Sequence, residues 1–268
     1  MIGELGGNIE LGRPVKKVIA EKGKARGVVL QDGTTVRADV VVINADFGHA
    51  MTTLFDEGVI RKYSEPRLRT KKFSCSTFML YLAVDMVYDE PHHHIVFADN
   101  YKANIDDIVR HKRLSLDMSV YVRNASVTDP ASAPAGHSAL YVLVPVANQF
   151  SGIIWNDTLK KQYRDAILSR LEQKTSMKDL SRHIVAEEII TPADWEQRGV
   201  YKGATFNLGH HVDQMLYLRP RNRFEELKNC YLVGGGTHPG SGLPTIYESA
   251  RISARLVRDD FLGGEGQD

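Results

Sequence analysis

The chain is sparing in cysteine and tryptophan, has no long apolar run, and carries almost no excess of charge of either sign. Two cysteines, Cys75 and Cys230, are too few and too far apart in sequence for a disulfide framework or a zinc site. That usage fits a reducing compartment. No stretch reaches the roughly 18 apolar residues needed to span a bilayer. The opening Met1-Ile2-Gly3-Glu4-Leu5-Gly6-Gly7 lacks the basic and apolar regions of a signal peptide. With 34 Lys+Arg against 33 Asp+Glu the formal net charge is +1, so no nucleic-acid partner is expected. What remains is ordinary globular composition, 43% hydrophobic and 25% charged over 268 residues, enough for one large domain or two small ones. A folded, soluble protein of the cytoplasm is the expectation.

The apolar pattern divides the chain into three stretches. Early on, Asn8 to Leu11 reads as a short strand and Pro14-Val15-Lys16-Lys17-Val18-Ile19-Ala20 as a second. Lys22-Gly23-Lys24 is turn chemistry, and Gly27-Val28-Val29-Leu30 predicts a strand that Asp32-Gly33 turns into a hairpin. Val40-Val41-Val42-Ile43 is a run of the kind buried on both faces of a parallel sheet, and Asp46 is placed to cap a helix reaching about Phe55. From about Phe73 to Glu196 the texture changes. Ser74 to Asp85 and Ser138 to Pro145 read as long strands, with Thr77, Met79, Tyr81 and Ala83 on one face of the first. Asn104 to His111 and Asp157 to Leu171 read as helices, the second striped by Leu159, Tyr163, Ala166, Ile167 and Leu171. Strands and helices without strict alternation predict an α+β domain. At the end, the short strand Cys230-Tyr231-Leu232-Val233 runs through a glycine-rich segment into a helix from about Leu243 to Phe261. The tail Gly263 to Asp268 is expected to fray.

The glycine-rich segment Gly234 to Gly242 is the sharpest chemical feature. A strand opening through glycines into a helix lets the backbone approach a ligand and aims free helix N–H groups at it. It is not the dinucleotide fingerprint, because Pro239 stands where the third glycine is required, and no lysine follows Gly240 to make a P-loop. On the glycines alone, a tight structural crossover fits as well as a ligand cradle. Thr237-His238-Pro239 favours the cradle, since a turn does not require that set. His92-His93-His94 reads as a solvated loop leading into a strand from Ile95 to Ala98, because adjacent residues point in different directions and seldom converge on one ion. No metal is expected. His210-His211 read as a helix start with a structural role. Arg219-Pro220-Arg221-Asn222-Arg223 is a local basic cluster, either a solvated loop or a contact to a phosphate. No nucleophile triad or paired-carboxylate signature is present, and no catalytic residue is assigned.

The run Tyr231-Leu232-Val233-Gly234-Gly235-Gly236-Thr237-His238-Pro239-Gly240-Ser241-Gly242-Leu243-Pro244, followed by Glu248-Ser249-Ala250, resembles the C-terminal signature of the bacterial-type carotenoid (phytoene) desaturases. These are FAD-dependent members of the amine-oxidase-like flavoprotein superfamily. Tyr121-Val122-Arg123-Asn124, Asp129-Pro130, Ala133-Pro134-Ala135-Gly136 and Leu143-Val144-Pro145-Val146 are similar to the family's middle segment. Gly203-Ala204-Thr205-Phe206 and Gln214 to Arg219-Pro220 are similar to the stretch before its last strand, and Val40 to Asp46 fits as well. The resemblance spans essentially the whole chain. Family members run to about twice this length and begin with a strand, a GxGxxG turn and a helix that hold the FAD pyrophosphate, followed by a ribose-binding acid. This chain has neither, so the likeness is to the C-terminal half.

The resemblance implies an α+β / α/β chain that lacks the N-terminal dinucleotide-binding half. Residues 1–60 and 200–268 would form part of a discontinuous, glutathione-reductase-like FAD-binding domain, and residues 61–199 a mixed-sheet substrate domain. It implies that Val15 brackets the adenine ring through its main chain, and that Asn44 and Ala45 belong to the turn closing over the FAD domain. The loop through Gly234, Gly235, Gly236, Thr237, His238 and Gly242 would pass along the ribityl chain and pyrophosphate. Leu243, Pro244 and Thr245 would start a helix whose N-terminus points at the flavin pyrimidine edge, where reduced flavin carries negative charge. The implied substrate is a long apolar polyene in a tunnel, with Phe78, Leu80, Tyr81, Tyr141 and Leu143 as lining candidates. Any one of these serves more commonly in a sheet core.

The expected function is FAD-dependent carotenoid desaturation, with hydride leaving a C–C bond for the flavin. A peripheral association with the membrane surface is expected, because the substrate dissolves in lipid. The isolated chain is expected to be inactive and to hold FAD weakly or not at all. A carotenoid isomerase or retinol-saturase-like flavoenzyme is the alternative within that class. A non-catalytic module holding a lipid or partner on an apolar sheet face is the alternative outside it. Unpaired apolar sheet around Val40 to Ile43 leads to the expectation of a homo-oligomer.

Overall fold

The computed structural model describes residues 1–261, so the expectation for Gly263 to Asp268 lies outside the described residues. The chain divides into two compact units, one of residues 1–72 with the segment from 206 onward, the other of residues 73–205. Those divisions fall later than residues 60 and 199 for a packing reason. Tyr63 and Leu68 are buried in the first unit, where the Tyr63 ring meets Phe47 and Phe224 and its hydroxyl donates to Glu225. Tyr201 packs against Phe73 and Phe150 in the second.

The first unit opens with an antiparallel sheet of β1 (Val15–Glu21), β2 (Lys24–Leu30) and β3 (Thr35–Arg37), in that order. Lys22 and Gly23 both take left-handed φ values, 49° and 74°, which suits the twist of a two-residue hairpin. Asn8 to Leu11 forms no strand, contrary to the expectation. Ile9 and Leu11 are 62% and 87% exposed, so that segment has no buried face to hold it in a sheet. Next comes β4 (Val41–Ile43), which leads to α1 (Phe47–Thr53) and α2 (Glu65–Leu68). Asp46 caps α1, its Oδ1 accepting the His49 N–H at 2.9 Å.

The second unit is built on β5 (Ser76–Val84), β6 (His93–Val96), β7 (Val120–Asn124), β8 (Ser138–Val146) and β9 (Ile184–Ile190). Its helices are α3 (Tyr101–Asp106), continued by a π-type turn, α4 (Asp157–Lys174) and α5 (Pro192–Gln197). The sheet order is β6-β7-β8-β5-β9 and every pairing is antiparallel, which corrects the expected mixed sheet. The helix α4 does connect two strands of like direction, β8 and β9. The strand β5 lies between them, so no parallel ladder forms.

Alternation along β5 separates the sheet's two faces. Phe78, Leu80, Leu82 and Val84, with Val142 and Val144 of β8, bury against Tyr163, Ile167, Leu168 and Leu171 of α4. Tyr81 and Tyr141 stand on the other face, their ring centroids 5.4 Å apart, and Tyr121 and His93 continue the row. The first unit then closes with β10 (Cys230–Leu232), parallel to β4, and α6 (Leu243–Phe261). Here Val41 and Ile43 are buried but Val42 is 50% exposed, so this run is not buried on both faces.

Phe78→Ala is expected to cost about 3–5 kcal/mol of unfolding free energy. Tyr81→Ala, on the other face, is expected to cost about 1 kcal/mol or less. Urea unfolding of the two variants checks this, and equal losses would refute the assignment of faces.

Candidate functional site

The parallel pairing of β4 and β10 brings two turns side by side. Val233 N–H donates to Ile43 O at 3.0 Å, which sets residues 44–46 beside residues 233–236. Between them lies a cleft of about 370 Å³, whose lining includes Asn44, Ala45, Gly234 and Gly235. Asp46, Asn207, Ile246 and Tyr247 also line it, and sequence reasoning did not single them out as ligand contacts. Asn207 belongs there because its Nδ2 donates to Asp46 Oδ2 at 2.6 Å. The apolar wall comes from the first turns of α6.

Two glycines in the loop are required for different reasons. At Gly234, with φ +105°, a Cβ would stand 3.1 Å from Asn44 Oδ1 and crowd the cleft. At Gly236 a Cβ would stand 2.3 Å from Phe47 Cβ and 2.5 Å from Asn207 Oδ1. The bare backbone at Gly236 therefore makes room for α1. The N–H groups of Gly235 and Gly236 meet no acceptor among the described residues. Free main-chain donors beside a cleft that side chains would close suit a ligand rich in acceptor oxygens. A flavin nucleotide is such a ligand, so the residues present fit it.

The support behind the loop is a buried arginine. Arg219 is 1% exposed, which corrects the reading of a solvated loop at this residue. Its Nε donates to Thr237 O at 3.0 Å, and its Nη2 donates to Gly235 O at 2.6 Å and Leu208 O at 3.0 Å. A longer contact from Nη1 reaches Gly209 O at 3.4 Å. Burial pulls the guanidinium down to about 10. Asn222 and Arg223 of the cluster are also engaged, whereas Arg221 is exposed. Asn222 Nδ2 donates to Ser249 Oγ and Ser253 Oγ of α6 at 3.0 and 3.1 Å, and Arg223 forms a forked pair with Asp260. The small serines let α6 lie close to β10, where Ser253 Oγ donates to Leu232 O and Ser249 Oγ accepts the Gly234 N–H.

The pair His210-His211 does precede a helix, with His211 at the N-cap of the short 3-10 helix Val212–Gln214, and His210 takes the expected structural role. Its Nε2 accepts the Ser241 N–H at 3.2 Å, and a Cβ on Gly240 would stand 2.6 Å from that nitrogen. Although much of the residue is exposed, desolvation and the nearby Arg219 charge hold its pKa below the ordinary 6.5.

The other expected site residues are scattered. Thr237 is buried, with its hydroxyl donating to Pro220 O at 2.6 Å, and the His238 N–H donates to the same carbonyl. Gly242, Leu243, Pro244 and Thr245 form the start of α6, where Thr245 Oγ1 donates to Gly242 O. Val15 sits opposite Leu30 in the three-stranded sheet and does not line the cleft. Of the tunnel candidates, Phe78 and Leu80 are fully buried under α4, whereas Tyr81, Tyr141 and Leu143 share the opposite face. The five therefore do not line one space. The histidine triplet lies partly within β6; the His92 and His93 rings pack 4.3 Å apart, and the three side chains take different partners. His92 faces Thr128, His93 meets the Tyr121 hydroxyl, and His94 meets Glu90.

Comparison with known proteins gives a consistent outcome. The family model for flavin containing amine oxidoreductase matches residues 1–258. A 4,4'-diapophytoene desaturase (4,4'-diapolycopene-forming) of Methylomonas sp is 55% identical over 258 residues, covering 96% of this chain and 50% of the relative. An all-trans-zeta-carotene desaturase of Myxococcus xanthus is 42% identical, covering 94% and 48%. The chain thus spans about half the length of the curated relatives it matches. Among solved structures, an oxidoreductase from Methanosarcina mazei superposes with a TM-score of 0.57 at 16% identity, over 95% of this chain and 51% of that one.

Two outcomes are expected of this site. Gly236→Val should unfold the first unit or lower its stability sharply, because the new side chain meets Phe47 and Asn207, whereas Gly242→Ala should leave a folded protein. Circular dichroism and urea titration separate the two. His210 has a lower pKa folded than unfolded, so the unfolded chain binds more protons as pH falls. Its contribution is present above about pH 6.5 and is lost below it. Between about pH 7 and pH 5, wild type should lose more stability than His210→Gln. Parallel pH profiles would count against the contact.

Proposed function

Because the chain belongs to the flavin containing amine oxidoreductase family, we propose that it serves an FAD-dependent carotenoid desaturase. The observation that carries the reading is the cleft in which Asn44 and Ala45 meet Gly234 and Gly235, in a chain 55% identical to a relative named for diapophytoene desaturation. FAD supplies the hydride acceptor when bound. Asn44, Ala45, Gly234 and Gly235 would hold it from the cleft walls, and the Gly235 and Gly236 N–H groups would donate to its oxygens. Val15 would bracket the adenine through its main chain. The start of α6, Leu243 to Thr245, would direct a helix N-terminus at the ring edge that gains negative charge.

A polyene offers no charge, so the protein's task is to align it and exclude water. Tyr81, Tyr141 and Leu143 supply an aromatic and aliphatic face free of α4. Beside the two tyrosines lies a hollow of about 540 Å³ whose lining also includes Ala139 and Ala186, with Arg123, Glu187 and Glu188 at its charged side. The first unit would then carry the flavin and the second the substrate. Among the described residues no helix is long and apolar enough to cross a membrane. Peripheral association from the cytoplasm would bring the protein to a substrate dissolved in lipid.

Pigment analysis in cells that express these residues joined to a strand-GxGxxG-helix half, and are supplied with phytoene or diapophytoene, tests the activity. Coloured products with extended conjugation are expected, and unchanged substrate in both cases would overturn the reading. The 268 residues contain no strand-GxGxxG-helix unit for the pyrophosphate. Each charge-assisted hydrogen bond missing from that unit is worth roughly 1.5–3 kcal/mol, and about 1.4 kcal/mol is tenfold in affinity. A polypeptide of these residues alone is therefore expected to bind FAD only in the millimolar range. Calorimetric titration checks this, and a yellow protein with stoichiometric flavin would refute it.

A further inference from the structure

Arg219 is a fully buried cation, and among the described residues no carboxylate lies within ion-pair reach of it. Taking a guanidinium out of water without a counter-ion is costly, and carbonyl contacts return only part of that cost. Two of its carbonyl partners, Gly235 and Thr237, belong to the glycine loop. The other two, Leu208 and Gly209, follow Asn207, which lines the cleft.

The consequence lies in one peptide plane. In a trans peptide the N–H points opposite to the C=O of the same plane. The Gly235 carbonyl is drawn to Arg219 at 2.6 Å, so the Gly236 N–H is turned away from the guanidinium. Gly236 is buried, and that N–H finds no acceptor among the described residues. Buried donors without partners are rare and call for a ligand or water to complete them. This peptide also has a cation on its oxygen, which polarises it and strengthens the free donor on its nitrogen.

We propose that Arg219 is a positioning residue of the flavin site, holding the Gly235–Gly236 peptide so that the Gly236 N–H is offered to an anionic oxygen of the flavin nucleotide. The inference rests on the flavin reading given above. The oxygen belongs either to a phosphate or to the ring's pyrimidine edge in the reduced state. Both take the same chemistry, a polarised donor backed by an uncompensated positive charge.

The test compares wild type, Arg219→Met and Arg219→Lys in a protein that joins these residues to a strand-GxGxxG-helix half and so retains flavin. Met fills the volume without charge, whereas Lys keeps the charge but lacks the fork that reaches several carbonyls. Urea unfolding first establishes which variants fold. Dissociation constants are then measured for FAD, FMN and riboflavin, together with the two-electron reduction potential of the bound flavin. Arg219→Met is expected to show about tenfold weaker binding, or a potential lower by about 30 mV, the two-electron equivalent of tenfold. Weaker binding of FAD and FMN with riboflavin unchanged identifies a phosphate oxygen, and a lowered potential identifies the ring oxygen. A folded Arg219→Met protein with unchanged constants for all three flavins and an unchanged potential overturns the proposal while the flavin reading stands. Wild type that binds none of the three overturns both. Should Arg219→Met not fold, Arg219→Lys decides, with about threefold weaker binding expected and unchanged constants overturning the proposal.

Discussion

The first unit depends on a single buried guanidinium. Arg219 gathers carbonyls from two segments far apart in sequence, Leu208 and Gly209 on one side, Gly235 and Thr237 on the other. Carbonyl oxygens repel one another when brought together, and a cation at their centre makes that arrangement favourable. With the loop held from behind, its glycines face the turn at Asn44 and Ala45 across the cleft. Asn222 serves the same end on the other side, tying Leu232 to the serines of α6 so that the helix starts where the loop ends. The site is therefore a backbone construction supported by polar side chains that face away from it.

In the second unit the governing constraint is simpler. One strand, β5, is shared by two neighbours and has two faces of different character. Its even-numbered residues from Phe78 to Val84 build the core with α4, and the odd-numbered Tyr81 and Ala83 are left exposed. An aromatic row on a face without a covering helix is costly to leave wet, and the ring contacts among Tyr81, Tyr141 and Tyr121 offset part of that cost.

Local chemistry was legible where a short segment dictates its own geometry. The Lys22-Gly23 turn, the Asp46 cap and the helix from Leu243 to Phe261 all stand where the residues placed them. The glycine loop was also visible, because strand, glycines and helix follow in one run. Asn8 to Leu11 misled, since alternation without a partner strand makes no sheet. Arg219 misled for the opposite reason. Arginine among other basic residues ordinarily lies in water, and nothing within the cluster betrays the four carbonyls that arrive from elsewhere.

What the sequence by itself determined is the family, several elements of regular structure and the loop that carries main-chain donors. These depend on spacing within a few residues, or on motifs that survive as a linear string. Only the tertiary structure decided which side chains share a space. It separated Phe78 and Leu80 from Tyr81, Tyr141 and Leu143, brought Asn207 to Asp46, and put the bulk of Phe47 against Gly236. It also showed that one glycine is bare for a helix and another beside a cleft. Such distinctions rest on contacts between residues far apart in the chain, 161 positions for Asp46 and Asn207, and no local pattern encodes what a side chain will meet at that remove.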